Sequence, residues 1–220
     1  MTKRNTKPHT HKARPRALTE RSLARAVGVL MVVDPDLARV VECFGRPPLW
    51  GRVAGFATLI HIILEQQVSL ASARAAFNRL AAAAPVTPEN FLRFDDAALL
   101  AIGFSRQKAA YGRGLAHALA SGELDLEALG TLDDHLVRAA LVALKGIGPW
   151  SADIYLLMAL RRPDVWPAGD LALVLAMQEV KGLAQRPTAA HMEAIAEAWR
   201  PWRAAAARVL WHYYLNTPRR

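Results

Sequence analysis

Apolar residues recur at three- and four-residue spacing along almost the whole chain, in segments rich in Ala and Leu. That period places them on one face of a helix. It predicts helices over about Arg52–Glu65, Ser69–Ala83 and Asp95–Ile102, the last stopped by Gly103. Ser105 caps a helix to about Ala120, and Thr131 or Asp133 opens one to Leu144. Pro149 stands in the first turn of the next, which ends near Leu160. Asp170 begins another, and Thr188–Trp199 and Trp202–Asn216 complete the set. Residues 27–33 fit a strand or a core helix equally. The fold class is therefore all-α, with short connections and one clear break, Pro163–Gly169, in the C-terminal half.

Composition narrows the class. The chain has 220 residues, 53% hydrophobic and 21% charged, which suits a globular protein of one large domain or two small lobes. Its one cysteine, Cys43, excludes an internal disulfide, a cysteine zinc site and a four-cysteine iron–sulfur cluster. A reducing, cytoplasmic location is the expectation that follows. The best early apolar run, residues 26–33, ends at Asp34-Pro35, too short to span a bilayer and with no cleavage site behind it. The net charge of +9 is in the range of nucleic-acid binders. Residues 1–16 carry six of those charges and no acid, leaving +3 for the rest. Such a tail fits an arm that adds phosphate affinity or a plain solvated terminus.

The stretch L-V-A-L-K-G-I-G-P-W-S-A, residues 141–152, joins two helices through Lys145-Gly146-Ile147-Gly148. Glycine allows positive φ and lets a ligand approach the backbone. The helix that follows points its free N–H groups and positive dipole end the same way. With Lys145 these make a site for a DNA phosphate, read without regard to sequence. An ordinary glycine-capped connection between helices fits the same residues.

In context the stretch resembles the helix–hairpin–helix of the DNA glycosylase superfamily, which adds a Gly/Pro-rich loop and an essential Asp about 20 residues on. Here W-P-A-G-D ends in Asp170, 22 residues past Gly148. Three further stretches resemble the alkylpurine (3-methyladenine) DNA glycosylase II branch. They are I-I-L-E-Q-Q-V-S-L-A-S-A (62–73), L-A-I-G-F-S-R-Q-K-A-A-Y (100–111) and P-W-R-A-A-A-A-R-V-L-W (201–211). The four lie in collinear order over roughly residues 50–215.

The resemblance implies a two-lobed helical bundle with the active-site cleft between its lobes. Residues 19–55 with 165–220 would form one lobe. Residues 56–164 would form the other, carrying the hairpin at 141–157, and 1–18 would be a disordered basic tail. It implies a partner class too: damaged double-stranded DNA, bound by a monomer. The reaction implied is hydrolysis of an N-glycosidic bond, whose transition state is oxocarbenium-like and is stabilised by a nearby carboxylate. Asp170 suits that role and, equally, the role of helix N-cap; backbone N–H groups at a helix start favour a negative charge there. Cationic N3- or N7-alkylated purines leave without protonation and favour an aromatic pocket. Trp150 and Trp211 occupy the family's pocket positions, and core packing is their alternative; Trp166, Trp199 and Trp202 read as packing.

Strand-cutting relatives use a lysine in or just after the hairpin as a Schiff-base nucleophile. The matching position here is Trp150, which implies a monofunctional enzyme. The flipped base leaves a gap, and Gln67, with Gln66 beside it, matches the wedge that fills it; a polar inter-helix turn is the other reading. Glu65 departs from the small residue often found there. Lys145, Gly146, Gly148 and Ser151 would hold phosphate. No cofactor is implied, apart from a sodium or potassium ion that some members hold on hairpin carbonyls, here those of Val142, Leu144 and Ile147. A non-catalytic DNA-binding module and a glycosylase for a deaminated or oxidised base are the competing functions.

Overall fold

The computed structural model describes residues 17–218, so most of the basic tail lies outside the described residues. Within them all regular structure is helical. In chain order the helices are α1 (Glu20–Val33), α2 (Pro35–Phe44), α3 (Phe56–Glu65), α4 (Leu70–Ala83), α5 (Pro88–Arg93), α6 (Asp96–Ile102) and α7 (Arg106–Ala120). The short α8 (Leu126–Leu129) precedes α9 (Asp134–Val142) and α10 (Pro149–Ile154). A wider π turn, Tyr155–Ala159, extends α10. Then come α11 (Leu171–Val180), α12 (Ala189–Ala196) and α13 (Arg203–Asn216). None is long and apolar enough to cross a membrane.

The ambiguous 27–33 segment is helical, because Ala26, Val27 and Leu30 recur on one buried face of α1. Two helices in the first 44 residues escaped the periodicity, since Asp34-Pro35 reads as a stop. It is also a start: Asp34 caps α2, accepting the amides of Asp36 (3.0 Å) and Leu37 (3.2 Å), with Pro35 in the first turn. The expected helix from Arg52 begins at Phe56 instead, after Gly55 at φ +145°. Of the expected tail 1–18, Leu18 is buried and its amide donates to Arg161 O at 2.7 Å.

Helices α1, α2, α11 and α13 pack on one another, and α3 packs with α4, α7 and α10. Between these groups Arg208 acts as a strut. It is fully buried on α13 and donates to Leu49 O (2.7 Å), Leu157 O (2.8 Å) and Ala204 O (2.9 Å). Burial pulls its guanidinium down to about 10. The strut fixes α13, and with it Trp211, against the π turn and the segment that leads to Trp50. Tyr155 is buried too, and its hydroxyl accepts the Gly55 amide at 3.1 Å at the start of α3.

Candidate active site

A cleft of about 1760 Å³ opens where these helix groups meet. Its lining comes from the α3–α4 turn, the start of α7, the α9–α10 hairpin, residues 169–172 and the last turns of α13.

Asp170 stands in it at the start of α11 as that helix's N-cap. Its Oδ1 accepts the Leu173 amide at 3.0 Å. The same carboxylate accepts two indole N–H groups: Trp211 Nε1 on Oδ1 at 3.0 Å and Trp150 Nε1 on Oδ2 at 2.9 Å. The helix cap is therefore also the group that both tryptophans meet. Trp150 is half-buried and Trp211 buried, yet both line the cleft. Among the described residues the cleft lining holds one other carboxylate, Glu65. It is buried and committed to Arg52, whose Nη1 and Nη2 donate at 2.9 and 2.7 Å. Arg52 thus accounts for an acid where a small residue is usual.

The hairpin separates its two glycines. Gly146 has φ +95°, and a Cβ there would land inside the ring of Tyr111. Gly148 has an ordinary φ of −88°, and a Cβ there would meet nothing within 4 Å. It opens α10, and no side chain caps the helix start, so the free amides there lack a side-chain acceptor. Lys145 is exposed in the turn and makes no ion pair among the described residues. The Leu144 carbonyl accepts the Ile147 amide at 3.1 Å.

Two residues grouped by sequence part company with their expected roles. Ser151 is buried, and its Oγ accepts Gln66 Nε2 at 3.0 Å, which gives its side chain a partner inside the protein. Gln66 also donates to Gly146 O at 2.8 Å, which spends its amide on tying the α3–α4 turn to the hairpin rather than on a wedge. Gln67, next along, is exposed at the cleft with φ +57°, a conformation uncommon outside glycine. Such strain concentrates at functional sites.

Sequence reasoning gave no role to two residues here. Trp50 lines the cleft with a left-handed φ of +47°, its ring 6.1 Å from that of His212. It lies in a segment without periodicity, so no pattern marked it. Lys108 projects from α7, and its Nζ donates to Leu64 O (2.7 Å) and Gln66 O (2.8 Å). Burial pushes its pKa down. Trp166 and Trp199 pack edge to face at 5.4 Å, as their spacing suggested, and Trp199 also donates to Asp34.

Known proteins resemble this chain in sequence and in fold. A DNA-3-methyladenine glycosylase of Bacillus subtilis is 30% identical over 123 residues, 56% of this chain and 41% of that relative. The chain therefore spans under half of that protein's length. The solved structure of a Schizosaccharomyces pombe 3-methyladenine DNA glycosylase in complex with abasic DNA superposes with a TM-score of 0.80. It is 30% identical and covers 85% of this chain and 95% of that one. A DNA-3-methyladenine glycosidase from Bacillus halodurans superposes with a TM-score of 0.72 at 27% identity, covering 90% of this chain and 91% of that one. Residues 60–201, which carry the hairpin and Asp170, match the family described as HhH-GPD superfamily base excision DNA repair protein, and the chain belongs to that superfamily.

Proposed function

We propose that the chain is a monofunctional DNA glycosylase that hydrolyses the N-glycosidic bond of alkylated purines of the 3-methyladenine and 7-methylguanine type. It acts on duplex DNA by base flipping and leaves an abasic site. The observation that carries the reading is Asp170 held by the indole N–H groups of Trp150 and Trp211 in the cleft. A carboxylate fixed in a partly water-excluded site stabilises the positive charge that develops on the sugar. Two tryptophans beside it offer π faces to a cationic base.

The rest of the cleft fits this chemistry by what it withholds. Protonating a neutral base needs an acid, and the second cleft carboxylate is tied up with Arg52. An alkylated purine already carries its charge and needs none. A strand-cutting mechanism needs a free amine as nucleophile. Of the cleft lysines, Lys108 spends its ammonium on two carbonyls and Lys145 lies in the exposed turn, where it favours phosphate. Gly148, with open space around it, bares the hairpin backbone to the same strand, and Gln67 fills the space of the extruded base.

Methylated duplex DNA incubated with the protein is expected to release 3-methyladenine and 7-methylguanine and to gain alkali-labile sites without direct strand breaks. Absence of both free bases defeats the substrate class, and breaks formed without alkali defeat the monofunctional mechanism. Trp150→Phe keeps an aromatic face but deletes the donor to Asp170 Oδ2. Losing a hydrogen bond to a charged group of this kind is expected to slow single-turnover release about tenfold, with duplex affinity nearly unchanged. A loss of affinity with the saturating rate unchanged places Trp150 in binding alone.

A further inference from the structure

The α3–α4 turn holds a conformation that needs outside support. Gln67 occupies the left-handed region, and its side chain makes no hydrogen bond among the described residues. The support stands on either side of it. From α7, the Lys108 ammonium takes the carbonyls of Leu64 and Gln66, which the end of α3 leaves open. From the hairpin, Gly146 O and Ser151 Oγ take the Gln66 side-chain amide. Helix α7 also reaches the hairpin: Tyr111 packs against Gly146, and its hydroxyl accepts Gln107 Nε2 at 2.6 Å.

Lys108 has no carboxylate partner among the described residues. A partly buried ammonium without a counterion is costly, and burial depresses its pKa. What offsets that cost is the pair of carbonyls at a helix C-terminus, where a cation is favoured. Those carbonyls belong to the last residue but one of α3 and to the residue just before Gln67. A shorter or neutral side chain would leave both without a donor and the turn free to relax.

We propose that Lys108 is a positioning residue: by holding the Leu64 and Gln66 carbonyls it keeps Gln67 in its left-handed conformation at the cleft mouth, so that wedge and hairpin meet DNA as one rigid part. The inference rests on the glycosylase reading. It places Lys108 in base extrusion rather than in bond cleavage, and extrusion matters most when the lesion is stacked and paired.

Single-turnover release of 7-methylguanine is measured from a fully paired duplex and from an unpaired bulge. Lys108→Met is expected to slow release from the paired site about tenfold, the scale of a lost charged hydrogen bond, and from the bulge about twofold at most. Lys108→Arg, which retains two donors, restores most of the paired rate. Lys108→Met combined with Gln67→Ala is no slower than Gln67→Ala alone, because both act at one step. Equal loss on both substrates, additive loss in the double variant, or no loss on the paired site overturns the proposal.

Should Lys108→Met not fold, Gln66→Leu cuts the turn's other tether and carries the same expectation of loss confined to the paired site; equal loss on both overturns it. If the unsubstituted protein releases no methylated base, the glycosylase reading fails separately. The positioning role is then read from binding to a duplex containing a tetrahydrofuran abasic site. Lys108→Met loses its preference for that duplex over undamaged DNA, and an unchanged preference overturns it.

Discussion

Asp170→Asn is expected to lower single-turnover release of an alkylated purine about 100- to 1000-fold, the usual scale for losing one preorganised electrostatic group. The fold and duplex affinity should be nearly unchanged. The substitution separates two roles that coincide in one side chain. Asparagine caps helices about as well as aspartate, so the bond from the Leu173 amide at 3.0 Å survives with the side-chain oxygen at the Oδ1 position. That oxygen also keeps Trp211 Nε1 as its donor. The group at the Oδ2 position becomes an amide NH2, which faces Trp150 Nε1 donor to donor. The charge opposite the developing oxocarbenium is gone. A melting temperature near that of the unsubstituted protein, with the rate collapsed, assigns Asp170 to the chemistry. Full activity in the variant removes it from the mechanism while leaving the family intact.

Much of this site was legible in the sequence, and what was not has a common cause. Asp170 lies 20 positions from Trp150 and 41 from Trp211, yet each falls in a stretch that resembles the family, and the structure joins them through two hydrogen bonds. Helix starts marked by Ser105 and Asp170 were equally readable, because the cap residue itself makes the bond. The resemblance assigns Gln66 to the wedge and Ser151 to phosphate. Their contact with each other spans 85 positions, and nothing local predicts that two polar groups will satisfy one another inside the protein. Trp50 and Lys108 act through tertiary neighbours in the same way. The first helices were obscured by Asp34-Pro35, a pair that ends one helix and begins the next.

The two glycines of the hairpin should respond in opposite ways to alanine. Gly146→Ala meets two penalties at once: a side chain at φ +95°, and a Cβ directed into the Tyr111 ring. Left-handed backbone costs about 1–2 kcal/mol for a residue with a Cβ, and overpacking a fixed site adds about 1–3 kcal/mol. Tyr111 has little room to yield, since its hydroxyl is held by Gln107. A loss of about 2–4 kcal/mol is expected, read as a melting temperature lower by roughly 5–15 °C in a chain of this size. Gly148→Ala meets neither penalty, for φ is −88° and the space around it is open. Its stability should fall by less than about 1 kcal/mol, the difference between glycine and alanine at a helix N-cap. The added methyl stands instead over the free amides that open α10, where a phosphate would sit. Duplex affinity should drop about tenfold, the scale of one charge-assisted hydrogen bond. The pair is measured by thermal melting and by fluorescence anisotropy with an abasic duplex. If Gly148→Ala binds DNA as well as the unsubstituted protein does, the hairpin's second glycine has no part in gripping the strand, and only Gly146 is accounted for, by its packing against Tyr111.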